Sequence, residues 1–201
     1  MHTDQHQLEL ATQRAARVKL MIFDVDGVLT DGGLHFGADG EVIKRFNVLD
    51  GHGIKLLQQA GVATAIISAR QSPIVLRRAS DLGIAHVQQG VHDKGTAFSQ
   101  LLLQTGLHAA DCGFVGDDVI DLPILLQVGF AASVPNGHPE VTSRVHYVSR
   151  AAGGHGAARE ICDFVLRAQG KYAAAMAPYL MLTPAPASAS GAASDSGEFP
   201  R

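Results

Sequence analysis

The stretch Val18 to Gly33, VKLMIFDVDGVLTDGG, constrains the fold more than any other part of the chain. Its apolar, branched run from Val18 through Phe23 ends abruptly in two carboxylates one residue apart, Asp24 and Asp26, followed by Gly27. A run without polar alternation suits a central strand of a parallel sheet, which is covered on both faces. In open α/β sheets the chemistry gathers at the carboxyl ends of the strands, where this pair falls. Both carboxylates can approach one reacting centre only if the backbone turns there, and Gly27 permits that turn. Two acids so close repel each other and are costly to desolvate, so they demand a cation or a shared proton. A hard divalent ion with oxygen ligands, Mg²⁺ first among them, meets that demand. Read alone, the pair is equally a strand end followed by an acidic turn, because Asp and Gly are ordinary turn residues.

The rest of the chain supplies the partners such a strand needs. Val62 to Ser68, Ile84 to Val87, Gly113 to Val115, Phe130 to Val134 and Tyr147-Val148 read as further strands. Helical patterns separate them: Asp50 to Gln59, a helix opened by Ser72-Pro73 as N-cap and first-turn proline, one capped by Asp93, Pro139 to Arg144, and Gly156 to Gln169. That alternation predicts a Rossmann-like, doubly wound parallel sheet with right-handed crossovers. Between Gly32 and Asn47 the Asp39-Gly40 pair signals a β-hairpin inserted after the first strand. It is too small to form a lid, so no cap domain is expected. Residues 1–17 look like an amphipathic helix with Leu8, Leu10 and Ala11 on one side, residues 18–170 form the domain proper, and residues 171–201, rich in Ala, Pro, Ser and Gly, read as a disordered tail.

Composition excludes several function classes. A net charge of -3 with no cluster of Lys or Arg argues against nucleic acid or an anionic membrane as partner. Cys112 and Cys162 lack metal-type spacing and suit a reducing compartment as core filler. The sequence holds no apolar run of membrane-spanning length, and its start lacks the basic and apolar regions of a signal peptide, so a cytoplasmic location is expected.

Four features fall in loops after strands and therefore face one edge of the sheet: Asp24 with Asp26, Ser68, Lys94 at a helix start, and Asp117, Asp118 and Asp121. Each alone has a plain reading, as a turn hydroxyl, a solvated charge or a helix cap. Together they make a kit for phosphoryl transfer, in which catalysis is mainly positioning and charge neutralisation. Asp24 is placed to attack phosphorus and form an aspartyl-phosphate. Asp26 would give a proton to the departing oxygen and later take one from water. Mg²⁺ would be held by the Asp24 carboxylate, the Asp26 carbonyl and Asp117, with Asp118 and Asp121 behind them. Ser68 would donate to a phosphoryl oxygen, and Lys94 would steady the negative charge.

FDVDGVLTDG, IISAR, Lys94 and VGDDVIDLP resemble, in order and spacing, the four signature motifs of the haloacid dehalogenase superfamily over roughly residues 18–170. The hairpin, RFNVLDGHGIKLL, LRRASDLGI and GGHGAAREICDFVLRAQGK narrow the resemblance to its capless phosphatases of acid-sugar phosphates. The resemblance implies hydrolysis of an eight-carbon acid-sugar phosphate in lipopolysaccharide precursor synthesis. It also implies a homotetramer in which hairpins associate and a C-terminal segment reaches a neighbour's site. Carried over by motif, substrate contacts fall to Asp26, to Asn47, Val48, Leu49, Asp50 and Gly51, and to Lys55, Arg70, Arg78 and Lys94. His52, His155 and the Ser68-Ala69 pair depart from the common pattern. Nothing in the residues separates an eight-carbon from a nine-carbon substrate of sialic-acid type. A non-catalytic, receiver-like phosphoryl switch is the rival from another class; it is disfavoured because the acceptor here lies on the first strand.

Overall fold

The structure, a computed structural model, describes residues 5–180. Six strands form one parallel sheet: β1 (Leu20–Phe23), β4 (Ala63–Ile67), β5 (His86–Gln88), β6 (Cys112–Val115), β7 (Phe130–Ser133) and β8 (Tyr147–Val148). Their order is β5-β4-β1-β6-β7-β8, so the strand that ends in Asp24 is central, as its composition requires. It is paired in parallel on both sides, Phe23 lying opposite Ile66 of β4 and Val115 of β6. All four β1 side chains are fully buried, each stabilising the fold by about 1.5–3 kcal/mol. Met21 and Phe23 enter one core layer and Leu20 and Ile22 the other, which explains the unbroken apolar run.

The first layer lies under α1 (Gln5–Ala15), α2 (Val48–Gln59), α3 (Pro73–Leu82) and α7 (Ala157–Ala168). The second is covered by α4 (Lys94–Thr105), α5 (Leu122–Leu125) and α6 (Pro139–Thr142). Apart from the sheet, β2 (His35–Gly37) and β3 (Gly40–Ile43) form the antiparallel hairpin around Asp39-Gly40. Cys112 and Cys162 are free and buried. Among the described residues no helix is long and apolar enough to cross a membrane.

Three expectations are corrected. Leu8 and Leu10 are exposed, and α1 instead lays Ala11 and Ala15 on the core, small side chains allowing the close approach. Ser72 is the N-cap residue of α3 with Pro73 in its first turn, as expected, but its hydroxyl donates to Glu41 of the hairpin and makes no cap bond. Lys171 onward is not without order: α8 (Tyr172–Leu180) follows at once. It is anchored by Arg167, 3.5 Å over the Tyr172 ring, and by the Lys171 ammonium, which donates to the Ala60 carbonyl at 2.8 Å. Tyr172, Ala175 and Met176 pack on the core, apolar burial that the composition of the wider tail conceals. Residues 181–201, and with them any contact between that segment and a neighbour's site, lie outside the described residues.

The edge strand β8 is held by His146, whose backbone N–H donates to the Ala131 carbonyl at 2.9 Å while its Nδ1 accepts from Ala131 N–H at 2.8 Å. Burial, helped by the charge of Arg14, lowers the pKa of this imidazole from 6.5. The unfolded chain therefore takes up the proton first, so this contact stabilises fully above pH 6.5 and is lost as pH falls below it. His146→Gln should flatten the fall in the unfolding midpoint as pH drops through 6.5, measured by thermal denaturation on both sides of that pH.

Candidate active site

Every candidate catalytic group sits just beyond a strand end on one edge of the sheet. Asp24 follows β1 directly, its N–H donating to the Val115 carbonyl at 2.9 Å. Lys94 opens α4, whose N-cap is Asp93, accepting from Thr96 N–H. The Lys94 ammonium donates to Asp24 Oδ1 at 2.7 Å and to Asp121 Oδ1 at 2.5 Å. Asp121 is fully buried, and its second oxygen accepts the N–H groups of Asp117 at 3.0 Å and Asp118 at 3.2 Å. Its carboxylate is thus spent on fixing the Asp117 loop and orienting the lysine.

Asp24, Asp117 and Asp121 each bring a carboxylate oxygen within 4.8 Å of the others. One lysine against three carboxylates leaves two negative charges uncompensated. Burial, then the charge of Asp121, pushes Asp24 up to about 7 in spite of Lys94. Asp117 is raised to about 7 as well, by burial and by the charges of Asp121 and Asp118. Lys94 is held above its usual range because Asp24 and Asp121 outweigh the effect of its burial. Asp117 Oδ1 is buried with no hydrogen-bond partner among the described residues. An unpartnered carboxylate oxygen in an over-charged oxygen cluster fits a hard divalent cation. Asp118 is exposed and turned to the backbone N–H of Val119, so it does not join the cluster.

Gly27 makes this assembly possible. Its φ is +91°, and a Cβ there would lie 2.0 Å from Asp117 Oδ2. The glycine provides both the turn after Asp26 and the space for Asp117 to reach the chain carrying Asp24.

Asp26, two residues beyond Asp24, is partly buried. Its Oδ1 accepts from Lys44, which follows the hairpin, and Arg70 Nε stands 3.9 Å from its Oδ2. Ser68 is buried past the end of β4, its hydroxyl making no hydrogen bond among the described residues.

The expected substrate residues divide. Val48 and Leu49 are exposed at the start of α2, and Arg70 is partly exposed beside Asp26. Asn47 caps α2, its Oδ1 accepting from Leu49 N–H at 2.8 Å. Asp50 is buried, and its Oδ1 accepts from Arg159 N–H at 2.8 Å, capping α7. Arg78 turns its guanidinium to the Asn47 carbonyl at 3.3 Å and over the Phe46 ring, filling the space beside Gly51, where a Cβ would lie 2.2 Å from it. Lys55 is exposed on α2 with no ion pair among the described residues. His155 faces Arg45 at 3.0 Å, and Arg45 pairs with Asp31 at 2.8 Å. The pairing of Lys44 with Glu41 and Asp26 carries no signal in the sequence, and Asp50, singled out there as a substrate contact, gives no sign of its bond to α7.

The family described as haloacid dehalogenase-like hydrolase matches residues 79–161, and fold and site together define a phosphoric monoester hydrolase of that class. The 3-deoxy-D-manno-octulosonate 8-phosphate phosphatase of Yersinia pestis is 44% identical over 159 residues, 79% of this chain and 85% of that protein. The crystal structure of a probable YrbI family phosphatase from Pseudomonas syringae matches with a TM-score of 0.84 at 48% identity, covering 86% of this chain and 98% of that one. That of the 3-deoxy-D-manno-octulosonate 8-phosphate phosphatase from Moraxella catarrhalis, in complex with magnesium, phosphate and KDO, matches with a TM-score of 0.82 at 40% identity, covering 84% and 97%. This chain belongs to the 3-deoxy-D-manno-octulosonate 8-phosphate phosphatase family of the haloacid dehalogenase superfamily.

Gly27→Ala and Gly61→Ala separate backbone strain from site geometry. Both glycines have positive φ, +91° and +83°, but a Cβ at Gly61 meets nothing within 4 Å. Each substitution should cost about 1–3 kcal/mol in stability. Only Gly27→Ala should also weaken Mg²⁺ binding and abolish phosphatase activity, measured by calorimetry and phosphate release.

Proposed function

We propose that this chain is a Mg²⁺-dependent phosphatase that hydrolyses 3-deoxy-D-manno-octulosonate 8-phosphate through an aspartyl-phosphate, in the cytoplasm, as a step of lipopolysaccharide precursor synthesis. One observation carries the reading: the Lys94 ammonium holds Asp24 Oδ1 at 2.7 Å inside a carboxylate cluster that is short of positive charge. The likeness to the Moraxella catarrhalis enzyme, in complex with magnesium, phosphate and KDO, supports the metal and the substrate class.

With Oδ1 engaged by Lys94, Asp24 Oδ2 is the oxygen that attacks phosphorus. As the bond from phosphorus to the sugar oxygen breaks, that oxygen takes a proton from Asp26. In the second half, Asp26 takes a proton from water, whose oxygen attacks phosphorus while the bond to Asp24 breaks, releasing phosphate and restoring the carboxylate. The Asp24 and Asp117 carboxylates and the Asp26 carbonyl would hold Mg²⁺, which would supply positive charge to offset repulsion between nucleophile and phosphate. Ser68, with its hydroxyl unspent, donates to a phosphoryl oxygen, and Arg70 offers its guanidinium to the substrate carboxylate. Asp121 keeps Lys94 and the Asp117 loop in register.

The hairpin exposes Leu34, Phe36, Val42 and Ile43, each between 44% and 59% accessible. Burying such a patch supports a homotetramer built on hairpin contacts.

Purified protein should release phosphate from the eight-carbon sugar phosphate faster than from a nine-carbon one of sialic-acid type, stop with EDTA and recover with Mg²⁺. Asp24→Asn should lower the rate by at least about 10⁴-fold. Full activity in that variant removes the mechanism, and faster turnover of the nine-carbon sugar removes the substrate. Phe36→Asp with Val42→Asp should reduce the mass in solution from that of a tetramer, read by light scattering; an unchanged tetramer excludes the hairpin as its contact.

A further inference from the structure

The two halves of the site are neutralised in different ways. Around Asp24 the carboxylates outnumber the lysine and call for a metal ion. Around Asp26 the chain supplies its own cations: Lys44 and Arg70 face Asp26 and Glu41. Lys44 follows the hairpin, yet its side chain is only 1% exposed. A lysine so deeply buried is uncommon unless paired, and this one is paired twice. Its ammonium donates to Asp26 Oδ1 and lies 2.9 Å from Glu41 Oε1.

Glu41 in turn accepts from the Ser72 hydroxyl at the entry to α3, the bond that displaces the ordinary helix cap. Burial works against the Glu41 carboxylate, but Ser72 and Lys44 hold its pKa below the usual value. Ser72 is itself fixed from its other side, its N–H donating to Gln89 Oε1 at 2.7 Å. Phe36 of the hairpin lies under the Arg70 guanidinium, 5.6 Å from it. The hairpin is therefore docked on the site through charged groups, while its apolar residues stay outside. Arg70 Nε, 3.9 Å from Asp26 Oδ2, is too far for a hydrogen bond and has no hydrogen-bond partner among the described residues. Among the described residues, only Oδ1 of the two Asp26 oxygens accepts a hydrogen bond.

We propose that Lys44 is a positioning residue for Asp26: by holding Oδ1 it leaves Oδ2 as the oxygen that gives its proton to the departing sugar oxygen and later takes one from water. The hairpin then contributes to the chemistry of its own subunit. This inference rests on the reading of Asp26 as proton donor. Glu41 shares the ammonium, so Lys44 orients Asp26 without giving it the whole of a positive charge.

The test compares two leaving groups in one Mg²⁺-loaded protein sample, so that any loss of folded material cancels in the ratio. 3-Deoxy-D-manno-octulosonate 8-phosphate expels an alkoxide that needs the proton; p-nitrophenyl phosphate expels a phenolate that does not. Lys44→Met should slow single-turnover phosphoryl transfer by about 100-fold on the sugar phosphate and less than about fivefold on the aryl phosphate. Lys44→Arg, still able to donate to Oδ1, should recover most of the ratio, and Mg²⁺ affinity by calorimetry should match that of the wild type. Equal losses on both substrates, no loss on either, or a fall in Mg²⁺ affinity matching the loss in rate overturns the proposal. Asp26→Asn, run alongside, distinguishes the two levels. If it shows the leaving-group dependence and Lys44→Met does not, the inference alone fails. If Asp26→Asn lacks that dependence, or the wild type does not turn over the sugar phosphate, the functional reading fails and takes the inference with it.

Discussion

The buried bridge from Asp24 through Lys94 to Asp121 is the interaction on which the rest of the site depends. Its 2.7 Å and 2.5 Å contacts join the end of β1, the start of α4 and the loop after β6. Such a network contributes little net stability, because taking three charges out of water roughly offsets their attraction. Breaking it is another matter: losing the lysine would strand two buried carboxylates at a cost of about 3–5 kcal/mol. The bridge therefore acts less as glue than as a jig, holding Asp24 with one oxygen engaged and one free. Asp121, at the inner end of the bridge, is fully buried.

The same logic repeats around the sheet edge, where buried charge meets backbone ends. Asp50 of α2 supplies the cap that the start of α7 lacks, Gly156 having no side chain to give. The loop before α7 in turn lies on the turn after Asp26, Gly154 N–H donating to the Val28 carbonyl at 3.0 Å. Asn136 adds a third support, accepting from Gly153 N–H at 3.0 Å. A carboxylate that caps a neighbouring helix links parts of the chain more than 100 residues apart, Asp50 and Arg159 being separated by 109. Chemistry that depends on distances of a few tenths of an ångström needs that kind of cross-bracing.

Two cationic systems thus divide the pocket. Lys94, from α4, serves the side of Asp24 and leaves it short of positive charge; Lys44, just after the hairpin, and Arg70 together balance Asp26 and Glu41. No cap domain covers this edge of the sheet, and an insert of two short strands instead brings Lys44 back onto Asp26.

Much of this was written in the order of residues. The unbroken apolar run of β1 placed it at the centre of the sheet, because only a strand covered on both faces tolerates such a run. Gly27 after Asp26 and Asp93 before Lys94 marked a turn and a helix start through local backbone chemistry, which adjacent residues carry within themselves. The convergence of Asp24, Ser68, Lys94 and Asp117 on one edge follows from the strand-helix alternation, and needed no coordinates. Contacts between distant charged side chains were decided only by the tertiary fold. That Lys44 is buried on Asp26, that Asp50 turns inward to α7, that Arg78 braces Asn47 and that Ser72 answers Glu41 depend on which surfaces meet after folding. A charged side chain looks the same in sequence whether water or a carboxylate will surround it, and long-range packing alone selects between the two.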